Sequence, residues 1–504
     1  MRTIFVLFDT LNRHMLECYG GTSVPTPNFN RLAARSATFD NHFVGSLPCM
    51  PARRDLMTGR LNFLHRSWGP LEPFDAALPK LLRGADVYSH LITDHYHYFE
   101  DGGAGYHTRY DSFEYVRGQE GDGWKAVVAP PIEDWRRDYH PRQFSDKRSH
   151  IAYHYMANRS YIHEESQWPS SQCFSLAEEF LDTNQVADGW FLQVETFDPH
   201  EPFYAPPRQR EKFPTNYQGP IRDWPPYARV TEAEDEQDEL RANYKALLAH
   251  CDEQLGRILD RMDRYDMWKD TMLVVSTDHG YLLGEHDWWA KNRSPIYDEI
   301  AHIPLFIHHP DHVSEAGTRR RALTQTPDLM PTFLEAFGVA APASVTGRSL
   351  LPLLADASAK SHDAILFGYF GGAVNLTDGT HTYFRYPDDM LSQELYQYTL
   401  MPAHMLQPFT AAELEGAELM RGLDWAGGTP VLRIPVIESS PWFNSHGPRV
   451  MEDAVDAVYD RQADAGQVMP LDDAALEGRL AELMVQLLKA NDAPPEAFRR
   501  LRLA

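Results

Sequence analysis

The stretch Ile4-Phe5-Val6-Leu7-Phe8-Asp9, at the start of the chain, is a continuous apolar run that ends in a carboxylate. Such a run is typical of a central strand in a parallel sheet, because that strand is buried on both faces. Similar short runs follow at 87–93, 190–196, 272–277 and 303–308, with helical patterns between them. Strands that alternate with helices predict an α/β fold in which helices sandwich a mostly parallel sheet. Ligands bind such sheets outside the carboxyl ends of the strands.

Polar residues follow several of these runs, at the edge where a ligand is expected. Asp9 follows the first run, and Asp278-His279 follows the run at 272–277. Together they offer oxygen and imidazole donors for a hard or borderline divalent cation, whereas each alone is also typical of a turn or a helix cap. His200 lies in Asp198-Pro199-His200-Glu201-Pro202, where two prolines restrict the backbone. This setting suits a histidine that transfers protons, and an ordinary loop histidine is the alternative.

Two further candidates are weak on their own. His95 and His97 follow the run at 87–93, and a structural role for one of them is expected. Lys291 lies thirteen residues after Asp278 and, taken alone, would be a surface lysine.

Composition and charge exclude several classes of partner. The 504 residues include 47 Lys and Arg against 72 Asp and Glu, a net charge of −25. Binding to nucleic acid or to an anionic membrane needs a basic footprint, so neither is expected. The four cysteines are scattered and predict neither a disulfide framework nor a zinc site. The first apolar run is too short for a signal peptide, and we expect a cytoplasmic protein.

The pattern of the chain changes after residue 362. We expect a catalytic α/β domain over 1–362 and a C-terminal subdomain over 363–504, with a small antiparallel sheet, an Asp378-Gly379 hairpin turn and a final helix. The apolar segment at about 388–450 predicts an arm that packs on another subunit of a dimer or tetramer, and a local lid is the alternative. The glycine-rich region 102–123 predicts a long surface loop.

A twelve-residue stretch, Cys49-Met50-Pro51-Ala52-Arg53-Arg54-Asp55-Leu56-Met57-Thr58-Gly59-Arg60, resembles the signature of the sulfatases. A short motif of this kind occurs by chance, but here it occurs in order with Asp9, His200, Asp278-His279 and Lys291. The chain therefore resembles the sulfatase branch of the alkaline-phosphatase superfamily. The similarity covers nearly the whole chain except about 388–450.

The resemblance implies a modified cysteine as the nucleophile. A maturation enzyme would oxidise Cys49 to formylglycine, and the hydrate of this aldehyde would attack the sulfur of a small anionic sulfate ester. Arg53 would hold the hydrate. The helix that follows Cys49 would add positive potential at the sulfate.

The resemblance also implies a metal site and a set of substrate contacts. One divalent metal (Ca, Mn or Mg) would bind Asp9, Asp278, His279 and residue 49, and Thr10 could add a neutral oxygen. His200, Lys291 and either His95 or His97 would contact the sulfate and assist the leaving group.

Three departures from the family pattern bear on specificity. Asp9-Thr10 stands where many sulfatases have two aspartates, Asp278-His279 stands where many have Asp-Asn or Asp-His, and His95-Tyr96-His97 replaces the common Lys-x-His. The function expected first is hydrolysis of aryl or small alkyl sulfates. The alternative is a phosphonate monoester hydrolase or phosphodiesterase that uses the same nucleophile. A third interpretation is a non-catalytic binder of sulfated ligands in which Cys49 stays a thiol.

Overall fold

The computed structural model describes residues 1–503. In chain order the strands are β1 (Arg2–Phe8), β2 (Ala37–Phe43), β3 (Ser46–Leu47), β4 (Tyr88–Thr93), β5 (Ser112–Tyr115), β6 (Trp190–Thr196), β7 (Thr271–Thr277), β8 (Leu282–Leu283), β9 (Trp289–Ala290), β10 (His302–His308), β11 (Arg319–Gln325), β12 (Ile365–Tyr369), β13 (Val374–Thr377), β14 (His381–Arg385), β15 (Tyr396–Thr399), β16 (Glu418–Met420), β17 (Val431–Pro435) and β18 (Ala457–Asp460).

Helices connect these strands and cover the sheets. They are α1 (Pro27–Ala33), α2 (Cys49–Thr58), α3 (Leu78–Arg83), α4 (Ile132–Asp138), α5 (Ile151–Arg159), α6 (Pro169–Asn184), α7 (Pro207–Arg210), α8 (Glu234–Arg264), α9 (Asp298–Ala301), α10 (Leu329–Ala336), α11 (Leu351–Ala355), α12 (Ala411–Leu414), α13 (Pro441–Ser445), α14 (Ala474–Ala490) and α15 (Pro495–Arg500). Within residues 1–503, none of the helices combines the length and the apolar character needed to cross a bilayer.

Eight strands form the central sheet in the order β11-β2-β10-β7-β1-β6-β4-β5. The strands from β7 to β5 are parallel, and β10 runs antiparallel to both β7 and β2. The predicted fold class is therefore confirmed: the chain has an alkaline-phosphatase-like α/β fold with a mixed, mostly parallel sheet and smaller C-terminal antiparallel sheets.

Side chains of β1 alternate between two helical layers, as the period of two in a strand requires. Ile4, Val6 and Phe8 pack in one apolar cluster with residues of α6 and α8. Phe5 and Leu7 point to the other face and pack with residues of α2 and α10. Both layers bury β1 completely, which explains why its sequence has no polar residue between Ile4 and Phe8.

The C-terminal part is attached to the stretch that precedes Cys49. Its five-stranded sheet has the order β18-β14-β13-β12-β3. The short strand Ser46–Leu47 thus pairs with Gly368 and Tyr369 of β12, 322 residues further along the chain. The predicted Asp378-Gly379 turn is confirmed, with Gly379 in the left-handed region at φ 85°. The two parts share this sheet, and the boundary at 362 and 363 stays a prediction.

The segment 388–450 contains a sheet that the sequence did not indicate, in the order β15-β17-β16. It packs on its own chain. Buried Glu72 accepts hydrogen bonds from the Arg66 guanidinium and from the Leu400 amide, and Gly102 N donates to Met405 O at 2.9 Å. These contacts agree with the alternative prediction, a local lid. An interface with another subunit stays a prediction.

The prediction of a long surface loop over 102–123 is wrong in two places. Ser112–Tyr115 is the edge strand β5, paired with β4. Gln119 and Glu120 are buried, because Gln119 donates to Asp94 and Asp198 while Glu120 accepts from Tyr96. Glycine content indicated the turns correctly but says nothing of the tertiary contacts made between them.

Replacing Glu72 tests how firmly segment 388–450 is attached. The Arg66 side chain is 1% exposed, so Glu72→Gln leaves a buried guanidinium without its counter-charge. The variant is expected to lower the free energy of unfolding by about 3 kcal/mol. The matched control is Glu418→Gln, which removes a pair with Arg433 in which the Glu418 side chain is 66% exposed. Calorimetry should show a lower Tm for the first variant alone. Equal Tm values for the two variants would contradict a role for Glu72 in attaching segment 388–450.

Candidate active site

Four neighbouring parallel strands, β7, β1, β6 and β4, end at the same edge of the central sheet. Phe8 is paired with Thr196 on one side and Thr277 on the other, so Asp9 lies between the residues that follow β6 and β7. The expectation that strand-end polar residues meet at this edge is confirmed for Asp9, Thr10 and Asp278-His279, which contact one another.

Cys49 is the first residue of α2, as the sequence predicted. Pro48 offers no side-chain cap, so the first amides of α2 are available to an anion, and Pro51 has no amide hydrogen to leave unpaired. The Sγ atom lies 3.4 Å from His279 Nε2. Burial raises the pKa of the Cys49 thiol well above its usual range, so the unmodified side chain would be a neutral thiol.

Asp9, Cys49, Asp278 and His279 each offer one ligand atom, and these atoms all lie within 4.8 Å of one another. His279 Nδ1–H donates to Gly280 O at 3.0 Å, which leaves the lone pair on Nε2, the atom that faces Cys49. Burial lowers the pKa of His279 to about 3, so its ring is neutral. Two carboxylates and a neutral imidazole of fixed tautomer fit a divalent cation.

Arg53 connects the strands that carry these ligands. Its guanidinium donates to Asp278 Oδ2 at 2.6 Å, to Asp9 Oδ2 at 2.9 Å and to Glu195 Oε1 at 2.6 Å. It also donates to the carbonyl oxygen of Cys49 at 3.0 Å. The resemblance implied a contact with the side chain of residue 49, whereas the recorded contacts of Arg53 are with carboxylates and with the backbone.

Glu195 is a site residue that the sequence analysis missed. It lies inside β6, where its second oxygen accepts from Tyr98 and Gln193 at 2.8 and 3.1 Å. The available signal was a carboxylate within a mostly apolar and fully buried strand, because a charge at such a position must be paired.

The two aspartates differ in electrostatic environment. Burial would raise the pKa of Asp9, but the charges of Arg53 and Lys291 hold it well below its usual range. Burial and the neighbouring charge of Asp9 raise the pKa of Asp278 to about 8. A cation bound between them would favour the charged form of both.

Lys291 and Thr10 are held together beside Asp9. Lys291 Nζ donates to Thr10 Oγ1 at 3.2 Å and lies 4.0 Å from Asp9 Oδ1, while Thr10 Oγ1 donates to Asp9 at 2.7 Å. The lysine side chain is only 2% exposed, and although burial opposes its charge, the neighbouring acidic groups raise its pKa. Thr10 adopts a left-handed φ of 64°, and this unusual backbone places its hydroxyl between the other two side chains.

His200 follows β6 and lines the same cavity as Cys49. Its Nδ1–H donates to Glu201 O at 2.5 Å, so Nε2 carries the lone pair of the neutral ring. Burial and the charge of Lys291 lower the pKa of His200 well below its usual range. The Glu201 carboxylate accepts from Tyr227 through Oε1, and Oε2 lies 3.8 Å from Lys291 Nζ.

His95 and His97 have different environments. His95 is fully buried with Nε2 3.5 Å from Asp9 Oδ2, and burial and Arg53 lower its pKa. His97 lines the cavity, and its Nδ1 lies 2.5 Å from Glu100 Oε2. Of the two, His97 is the one placed to meet a ligand.

The cavity above Cys49 has a volume of about 640 Å³ and is bounded by both parts of the chain. The N-terminal part contributes the site residues and aromatic rings such as Trp68 and Trp224. The C-terminal part contributes Phe370, Met405, Leu406 and Trp442 among others. Such a volume accommodates a compound of one or two rings.

Comparisons with known proteins agree with the resemblance to sulfatases. A sequence model of the sulfatase family matches residues 2–339, and a model of the C-terminal part of N-sulphoglucosamine sulphohydrolase matches residues 284–405. An arylsulfatase of Clostridium perfringens is 22% identical over 406 residues, which cover 72% of this chain and 80% of that protein.

Two solved structures share the fold. One is a protein in complex with its substrate D-glucosamine-2-N,6-O-disulfate, with a TM-score of 0.67 and 15% identity over 98% of this chain and 99% of that one. The other is a phosphonate monoester hydrolase from Silicibacter pomeroyi, with a TM-score of 0.63 and 18% identity over 97% of this chain and 94% of that one.

Replacing Asp278 tests the metal site. After chelation, the wild-type protein is expected to bind one divalent cation in calorimetric titrations with Mn²⁺, Ca²⁺ and Mg²⁺. Asp278→Asn should lower the affinity for the preferred cation about tenfold or more, since it removes a charged oxygen ligand. Asp266→Asn, at a side chain that is 74% exposed, serves as the control. Unchanged affinity in Asp278→Asn, with the fold intact by circular dichroism, would remove Asp278 from the ligand set.

Proposed function

The chain belongs to the sulfatase family, whose members hydrolyse sulfate esters, and we propose that it acts on aryl or small alkyl sulfate monoesters. In this proposal Cys49 is matured to formylglycine and works with one divalent cation. The family match over residues 2–339 confirms the resemblance seen in the sequence.

One observation supports the proposal most strongly: Cys49 lies at the start of a buried helix, with its ligand atom within 4.8 Å of those of Asp9, Asp278 and His279. The hydrated aldehyde would supply a nucleophilic hydroxyl that a thiol of raised pKa does not. The cation, when bound, would supply Lewis-acid chemistry at the sulfate. The free amides of α2 would receive the anionic oxygens of the substrate.

Lys291 and His200 are proposed to act on the sulfate group itself. The buried ammonium of Lys291 can donate to a sulfate oxygen, and its hydrogen bond to Thr10 fixes its position. The His200 ring has its Nδ1–H committed to a backbone carbonyl, so its Nε2 is the atom able to accept a proton inside the cavity. Tyr369 donates to the carbonyl oxygen of Lys291 and restrains the backbone there.

We assign the two neighbouring histidines different roles. His97 lines the cavity with its Nδ1 against the Glu100 carboxylate. In its doubly protonated form the ring would keep this contact and could donate the Nε2 proton to the departing alcohol. His95 is proposed to be a positioning residue, because its ring lies 3.5 Å from Asp9 and is fully buried.

A second candidate function is the hydrolysis of phosphonate monoesters or phosphodiesters by the same nucleophile. The observation that favours it is the small number of carboxylates at the metal site, whose cluster contains only Asp9 and Asp278 as acidic residues. Thr10 stands where many sulfatases have a second aspartate. Esters of all three classes carry a single negative charge on the transferred group, so charge alone does not separate them. The fold shared with a phosphonate monoester hydrolase supports testing both.

Comparing rates on matched esters tests the proposed function. Enzyme produced together with a formylglycine-generating maturation enzyme is expected to hydrolyse 4-nitrophenyl sulfate with a larger kcat/KM than 4-nitrophenyl phenylphosphonate. Cys49→Ala and prolonged chelation should each abolish turnover, because each removes a component of the nucleophile. A larger kcat/KM for the phosphonate would select the second function, and turnover by Cys49→Ala would refute both.

Leaving groups of different basicity test the roles of the two histidines. His97→Asn should lower kcat for phenyl sulfate by about 100-fold and for 4-nitrophenyl sulfate much less, since a weakly basic leaving group needs little protonation. His95→Asn is the matched comparison and should affect the two esters equally. Equal losses for both esters in His97→Asn would show that His97 does not protonate the alcohol.

A further inference from the structure

Four apolar side chains of the C-terminal part line the cavity that contains Cys49: Phe370, Met405, Leu406 and Trp442, here called the distal wall. Polar residues of the same part, His404, Gln407, Ser445 and His446, also line the cavity. We propose that the distal wall selects the alcohol part of the ester, accepting a flat apolar group and rejecting one that carries a second negative charge. This inference rests on the proposed function for its substrate class. Met405, Leu406 and Trp442 belong to 388–450, the segment where the sequence departs most from the family.

The shape and chemistry of the distal wall suit an aromatic ring. Trp442 packs against Phe370 with ring centroids 5.3 Å apart, and both are nearly fully buried. Trp68 and Trp224 face the same cavity from the N-terminal part. Surfaces of this kind gain free energy from removing apolar area from water and from offset or edge contacts between rings.

The charges around the cavity argue against a second anion. Among the lining residues described in 1–503, Lys291 is the one lysine or arginine, and it is already close to Asp9 and Glu201. Glu100 and Glu120 line the cavity beside His97, and Oε2 of buried Glu201 has no hydrogen-bond partner. Histidines also line the cavity, but burial lowers the pKa of His404 and His446 and so disfavours their charged forms. A carboxylate or second sulfate on the alcohol would therefore meet carboxylates with little counter-charge.

This arrangement contrasts with the needs of a disulfated sugar. The solved protein of the same fold that was captured with D-glucosamine-2-N,6-O-disulfate has a substrate with two sulfate groups and many hydroxyls. An apolar wall satisfies few of those hydroxyls, and the carboxylates would oppose the second sulfate. The apolar lining and the acidic charges thus both disfavour an alcohol that carries many hydroxyls or a second sulfate.

Leu406 offers a direct test because it lines the cavity and is still 66% exposed, so substitution there does not disturb the core. Leu406→Lys adds one positive charge to the distal wall. The matched control is Leu419→Lys, which makes the same change at a 53% exposed side chain in β16, outside the set of lining residues. The probes are 2-naphthol and 6-hydroxy-2-naphthoate, which differ by one carboxylate and whose binding is read from quenching of tryptophan fluorescence.

Wild-type protein is expected to bind the neutral naphthol about tenfold more tightly than the carboxylate. Leu406→Lys should reduce this ratio by at least about threefold, and Leu419→Lys should leave it unchanged. Equal binding of the two probes by wild-type protein, no binding of either, or the same reduction in both lysine variants would overturn the inference.

Turnover of the corresponding sulfate esters then separates this inference from the proposed function. A wild-type preference for 2-naphthyl sulfate over its 6-carboxylate, reduced in Leu406→Lys alone, supports both. If the binding ratios follow the expectation but neither ester is hydrolysed, the distal wall stands as a binding surface and the proposed function fails.

Discussion

The Arg53 guanidinium joins the carboxylates of Asp9, Asp278 and Glu195, which lie on or directly after β1, β7 and β6. Arg53 itself belongs to α2, the helix that begins with Cys49, so one buried cation fixes the position of the nucleophile precursor relative to three strands. Its side chain is 1% exposed. A guanidinium suits this task because it is planar, permanently charged and able to donate in several directions at once.

The buried carboxylates around Arg53 outnumber the buried cations, so a further cation is needed to balance their charge. Four buried carboxylates, those of Asp9, Glu195, Glu201 and Asp278, face two buried cations, Arg53 and Lys291. Burying unbalanced charge is costly, and an anionic ester would add to the imbalance. A divalent ion at the Asp9, Asp278 and His279 donors would bring the pocket close to neutrality before the ester arrives.

Local sequence was sufficient for the parts of the site that lie on strand ends. Asp9 and Asp278-His279 follow apolar runs of unambiguous length, and parallel strands must bring their carboxyl ends together. Glu195 was missed because its meaning depends on Arg53, 142 residues away. The pairing of Ser46–Leu47 with β12 has no local signal either, because a two-residue strand cannot be recognised from its own pattern. The distal wall depends on the packing of 388–450 against Arg66, Glu72 and Gly102, which only tertiary contacts determine.

The central claim is that residue 49 works as formylglycine and not as a thiol. Tryptic digestion releases Ser36–Arg53, a peptide that contains this position. In protein produced with the maturation enzyme, mass spectrometry of this peptide should show the deficit that corresponds to replacing CH2SH by CHO, and its fraction should parallel the specific activity on a sulfate ester. Full activity in protein whose peptide retains an unmodified cysteine would contradict the account.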